Sequence, residues 1–169
     1  MTWGAAPRAA GPRQGRRRLA GVLAVAALVA GGAGEAPLAS YAVEGDGIAA
    51  PLAGRLGDAA RGRALMLDMH GSTCLLCHAG PFPGPGGTVG PSLAGVGSRL
   101  DEGQLRLRLV DAAAVNPGTV MPRFYTASGL TRVAPAYAGR PVLDAGQIED
   151  IVAYLATLRE PPARHEAAR

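Results

Sequence analysis

The 169-residue chain contains no lysine, although it carries 17 basic residues, all of them arginine. A docking surface made of lysine ammonium groups is therefore excluded. Aromatic side chains are sparse at 4% of residues, and Trp3 stands close to the N-terminus. A small domain with so few large side chains struggles to bury enough apolar surface by itself. Only two cysteines occur, Cys74 and Cys77, so a disulfide framework or an all-cysteine zinc site is out of reach. The apolar run from Leu19 to Ala30 is twelve residues long, against the about 20 that a membrane span needs. No internal repeat is visible.

The N-terminal segment has the organisation of an export signal. Arg8, Arg13, Arg16, Arg17 and Arg18 form a basic region, the apolar run follows, and Gly34 and Ala36 stand like the flank of a cleavage site. Residues 1–36 are thus expected to be a cleavable signal peptide that directs export. An uncleaved anchor is the competing reading, and the shortness of the run weighs against it. Removing residues 1–36 takes away five arginines and Glu35 and leaves 12 basic against 12 acidic residues. The formal net charge of +4 therefore describes the export segment. It implies neither a nucleic-acid surface nor a membrane span after processing.

Residues 37–57 are rich in Gly, Pro and Ala and read as an N-terminal extension, either packed over the domain or serving as a linker. The pattern from Asp58 to Met69 predicts a helix with Ala60, Leu65, Met66 and Met69 as its apolar positions, ended or bent at Gly71. Residues 79–97 are expected to be loop, because Pro81, Pro83, Pro85 and Pro91 leave no room for a central strand. Asp101 followed by Gln104 is a capping-box pattern, opening a helix with Leu105, Leu109, Val110 and Ala113 as its stripe. Arg106 and Arg108 are expected to face solvent. Asn116-Pro117-Gly118 closes that helix, and 117–143 is again loop-rich. Asp144 and Gln147 form a second capping box, ahead of Ile148, Ile151, Val152, Leu155 and Leu158 at three- and four-residue spacing. Pro161 and Pro162 stop this helix, and 161–169 reads as a disordered tail. The expected fold is all-α, about three helices over residues 58–160. Its Gly/Pro-rich loops are long enough to require an organiser.

Both cysteines fall in one run, Cys74-Leu75-Leu76-Cys77-His78. C-x-x-C-H is the attachment signature of a c-type haem. Cysteines three apart on a helical turn project from one side and can grip one edge of a planar ring, and the adjacent imidazole meets the iron. One covalently bound haem c would also supply the missing core volume. Attachment after export fits poorly with the twin-arginine route that Arg16-Arg17 could suggest. Two other chemistries compete. A zinc site would have to recruit His70 and His165, and a dithiol redox pair calls for a βαβ context that the pattern lacks.

For the opposite face of the iron, Met121 is the candidate, 43 residues after His78 in a loop where Pro122 holds it away from helical angles. Plain core packing is the ordinary role of a methionine. Met66 and Met69 lie too close to His78 in sequence to cross the ring, as does His70, and His165 sits in the tail. In Gly90-Pro91-Ser92-Leu93, a carbonyl near Pro91 is a candidate acceptor for the free ring N–H of His78, which would orient the imidazole and raise its basicity. Without the haem motif the same residues would read as an ordinary turn.

With C-x-x-C-H early, Gly-Pro-x-Leu in the middle, Met121-Pro122 later and Tyr154 on the last helix, the chain resembles the class I cytochrome c family. It looks closer still to the SoxX family, the monohaem cytochrome subunits of bacterial sulfur-oxidising systems. The residues that carry this likeness are Gly57-Asp58-Ala59, Gly90-Pro91-Ser92-Leu93-Ala94-Gly95-Val96-Gly97, Gln104 to Asp111, Asn116-Pro117, Met121 to Tyr125 and Ile148 to Leu155. It extends over about residues 41–159, and the Pro81–Gly87 stretch departs from the pattern.

The resemblance implies a periplasmic partner of a SoxA-like cytochrome subunit, in a heterodimer that couples thiosulfate oxidatively to a cysteine of a carrier protein and passes electrons to a downstream acceptor. It implies His78 and Met121 as axial ligands and Cys74 and Cys77 as thioether sites. It implies no catalytic residue here, the thiosulfate chemistry belonging to the partner subunit. The residues agree with a supporting role. Once both thiols are bound to haem, no free thiol nucleophile remains. A free-standing electron shuttle is the alternative.

Overall fold

In a computed structural model of the chain, residue 1 and residues 38–135 and 138–160 are described. The chain divides into two units, 1–34 and 35–169, and the described residues beyond Met1 lie in the second. The expected signal peptide, the tail 161–169 and His165 lie outside the described residues. Among the described residues the fold is helical, and the β-type pairing is the isolated bridge between Glu44 and Gly47. No helix among them is long and apolar enough to cross a membrane.

Helix α1 spans Ala59–Leu67, and Asp58 caps it by accepting from the Arg61 N–H at 2.8 Å. It ends two residues short of the expected Met69, because Asp68 turns to extended angles and its carboxylate accepts from the His70 N–H. Met69 is left exposed at 44%. Helix α2, Cys74–Cys77, is a single turn, as is α3, Val96–Arg99. Helix α4, Glu102–Asp111, runs into a 3₁₀ turn at Ala112–Ala114. Helix α5 spans Ala145–Thr157. Both capping boxes are made, Asp101 with Gln104 and Asp144 with Gln147, each by reciprocal bonds of 2.8–3.0 Å.

The core gathers on α5, where Ile148, Ile151 and Val152 are at most 1% exposed. Helix α1 lies directly on α5. A side chain at Gly62 would put its Cβ 1.9 Å from the Asp150 carbonyl, and one at Gly57 would stand equally close to that of Glu149. An interior helical glycine costs about 1 kcal/mol in propensity, and here it permits backbone contact.

Arg106 does not face solvent. Its side chain is 2% exposed and paired with an equally buried Glu149, while Arg108 is half-buried and donates to the Gln104 carbonyl. The reason is the N-terminal arm. Residues 47–52 cover this side of α4 with Ile48 and Leu52 buried, and Arg106 donates to the carbonyl of Ile48. Five of the ten α4 residues are consequently buried, Leu107 among them.

Candidate functional site

The site starts at Ser72, whose buried hydroxyl donates to the Leu65 carbonyl at 2.6 Å and so fixes the turn that follows α1. Thr73 then takes a left-handed conformation, φ +55°, and opens α2. A non-glycine residue in that region stores about 1–3 kcal/mol of strain. Its effect is to start the Cys74–Cys77 turn abruptly after α1. Both cysteines are half-buried and free. Burial pushes the Cys74 thiol above its ordinary range, the opposite of the lowered first thiol of a dithiol oxidoreductase. Among the described residues no three His, Cys, Asp or Glu side chains converge as a metal cluster.

The Gly/Pro-rich stretch is tied to this turn at three points. The N–H groups of Gly87, Gly90 and Leu93 donate to the carbonyls of Leu75, Cys77 and Ala79 at 2.8–2.9 Å. Turn carbonyls that α2 is too short to satisfy are thereby paired. A Cβ at Gly87 would fall 2.0 Å from the Leu76 carbonyl oxygen, so the approach needs glycine. Arg99 of α3 holds the next residues by donating to the carbonyls of Ser92 and Ala94, a contact the sequence did not suggest.

His78 faces this loop. Its Nδ1 stands 2.7 Å from the Pro91 carbonyl oxygen. A carbonyl only accepts, so Nδ1 carries the proton and Nε2 of the neutral ring is left with its lone pair. Gly90 packs on the ring, and a Cβ there would lie 2.4 Å from His78 Cε1.

Met121 is half-buried at the edge of the core, on a separate loop. Its N–H donates to Thr119 Oγ1 at 3.1 Å. Beyond it, Arg123 pairs with Asp111 at 2.8 Å and the Phe124 N–H donates to the Leu109 carbonyl. His70 is exposed. Tyr154 is buried with its ring 6.3 Å from that of Phe82, between α5 and the loop after the motif.

The sequence model of Cytochrome c matches residues 59–159. The chain belongs to the cytochrome c family. Within it the chain is of the SoxX type: the crystal structure of SoxXA from P. pantotrophus is similar with a TM-score of 0.64 and 34% identity, over 71% of this chain and 95% of that one. No curated protein matches. Cytochromes c are electron-transfer proteins with covalently bound haem c, and the residues present fit that group. Two thiols close one helical turn, and an imidazole follows with Nε2 available. Leu76, Val89 and Val120 also hold large apolar side chains 59%, 68% and 78% exposed, on the motif, the loop after it and the loop of Met121.

Proposed function

We propose that the chain is the electron-accepting subunit of a periplasmic thiosulfate-oxidising complex. Its partner is a SoxA-like cytochrome, and it carries one haem c. In this reading Cys74 and Cys77 would hold the haem by thioether bonds, and His78 and Met121 would ligate its iron. Haem, when bound, supplies an iron that takes up and gives back one electron at a time. The chain's own residues set the conditions. Pro91 and Gly90 fix the angle of His78 and keep its proton on Nδ1, and the Met121 loop presents a thioether, which raises the reduction potential.

The observation that carries the reading is the Cys74–His78 turn with its imidazole held by Pro91, in a chain similar to SoxXA. Coupling thiosulfate to a carrier cysteine releases two electrons. A one-haem chain must therefore share them with a partner or pass them on singly. Residues 1–36 serve as the export signal, and 37–57 and 58–160 are the extension and the haem domain of the mature protein.

The test is co-purification from the periplasm, followed by mixing the complex with thiosulfate and the carrier protein. The reading predicts a stable heterodimer whose haem is reduced only when both substrates are present. A monomer that exchanges electrons with a terminal oxidase without any partner would contradict it and favour a free-standing shuttle. A Soret band that survives denaturation and acid–acetone extraction is expected in either case, because the thioether bonds hold.

A further inference from the structure

We infer that residues 38–52 form a strap whose far end, clipped to the Tyr125 hydroxyl, keeps the Met121 loop closed, so that Tyr125 is a positioning residue for the sixth ligand. The inference rests on Met121 being that ligand.

The root of the strap is fixed. Ile48 is 1% exposed, and its N–H donates to the Gly103 carbonyl at 3.0 Å. The Leu52 N–H donates to Glu149 Oε1 at 2.8 Å. Asp46 accepts from Gln104 Nε2 at 2.9 Å, in the tight turn closed by Glu44 and Gly47. From that turn the chain reaches a different element. The Ala39 N–H donates to the Tyr125 hydroxyl at 2.7 Å, and the Tyr41 ring tilts over that of Tyr125 at 6.4 Å. Tyr125 itself is 5% exposed and follows Met121 by four residues.

The two ends differ in what holds them. Leu38, Tyr41 and Val43 are all exposed and only the small Ala39 packs on the core, so the far end has little apolar burial of its own and is seated chiefly by Tyr125. A buried tyrosine hydroxyl needs a hydrogen-bond partner, and the strap supplies it from 86 residues away. On the other side of Met121 the bonds are local, to Thr119 and from Thr119 to Asn116. Besides the packing of Met121 on the core edge, the hydrogen bonds and ion pair that tie this loop to the rest of the domain converge on residues 123–125. One is the Arg123–Asp111 pair, with Asp111 half-buried, others are the backbone bonds of Phe124, and the last is the clip. A partly exposed ion pair contributes little, and Tyr125→Phe leaves the burial of Phe124 and of the Tyr125 ring in place, so the clip is the tie that the strap adds to the loop.

Imidazole added to the ferric holoprotein competes with Met121 for the iron, so its apparent Kd reports how firmly the loop is closed. Loss of the weak near-infrared sulfur-to-iron band reads the exchange. Tyr125→Phe keeps the ring and removes the hydroxyl. It is expected to lower the apparent Kd about fivefold, the equivalent of one hydrogen bond. Deletion of residues 38–42, with the export segment retained, is expected to do the same, and Tyr125→Phe on top of that deletion to add nothing. The deletion carries the test if the point variant does not yield holoprotein. Unchanged imidazole affinity in both variants, with the wild-type band present, overturns the strap's role even if urea stability falls. A wild-type protein without the band, or a band that survives Met121→Ala, overturns the ligand assignment and this inference with it.

Discussion

Arg106 and Glu149 meet inside the protein in a two-pronged ion pair, with Nε and Nη2 each 2.8 Å from a carboxylate oxygen and both side chains 2% exposed. The pair joins α4 to α5, and through Ile48 and Leu52 it joins both helices to the N-terminal arm.

Breaking this pair from one side strands a buried charge. Arg106→Leu is expected to destabilise the holoprotein by about 3–5 kcal/mol, read as a lower midpoint in urea. Arg106→Leu with Glu149→Leu should cost less than Arg106→Leu alone. A double variant that is the less stable of the two would contradict this reading of the pair.

A pH dependence follows from Asp150 on α5. Arg61 donates to both of its oxygens at 2.7 and 2.9 Å, and the Asp58 N–H adds a third bond at 2.7 Å. The Arg61 guanidinium outweighs burial and holds the carboxyl below its ordinary 3.8. A folded-state value below the unfolded one means that the stabilisation is complete above about pH 4 and is lost as pH falls through the folded value. Thermal unfolding should therefore find Asp150→Asn less stable than wild type at neutral pH, with the gap closing under acid. A gap that does not narrow at all as pH is lowered from about 4 would contradict the assignment.

Gly90→Ala probes the imidazole. The added Cβ would stand 2.4 Å from His78 Cε1, so the ring must tilt and its bond to Pro91 must weaken. A less basic imidazole donates less to ferric iron. The expected result of a redox titration is a potential raised by on the order of tens of millivolts, and an unchanged or lowered potential would contradict it.

Local signals in the sequence translated well into structure. Asp101 and Asp144 start helices because a capping box needs only four consecutive residues, and the contiguous Cys74–His78 run announces its chemistry for the same reason. What depends on distant partners was not legible. Arg106 reads as a solvent-facing charge because its partner lies 43 residues away and its cover is an arm with no periodic pattern. Gly57 and Gly62 are where the α1 region touches the α5 backbone, a contact for which no local pattern gives a sign. The Pro81–Gly87 stretch reads as loose loop, whereas the residue that ends it donates back to the Leu75 carbonyl. Tyr125 stands in the Met121–Tyr125 likeness, but its clip gave no signal, since the partner is a backbone N–H 86 residues away.

The near-infrared spectrum of the ferric protein tests the central claim most directly. The account predicts a weak sulfur-to-iron band that disappears in Met121→Ala, while the haem stays attached through Cys74 and Cys77. A band unchanged in Met121→Ala, or absent from the wild type, would contradict it.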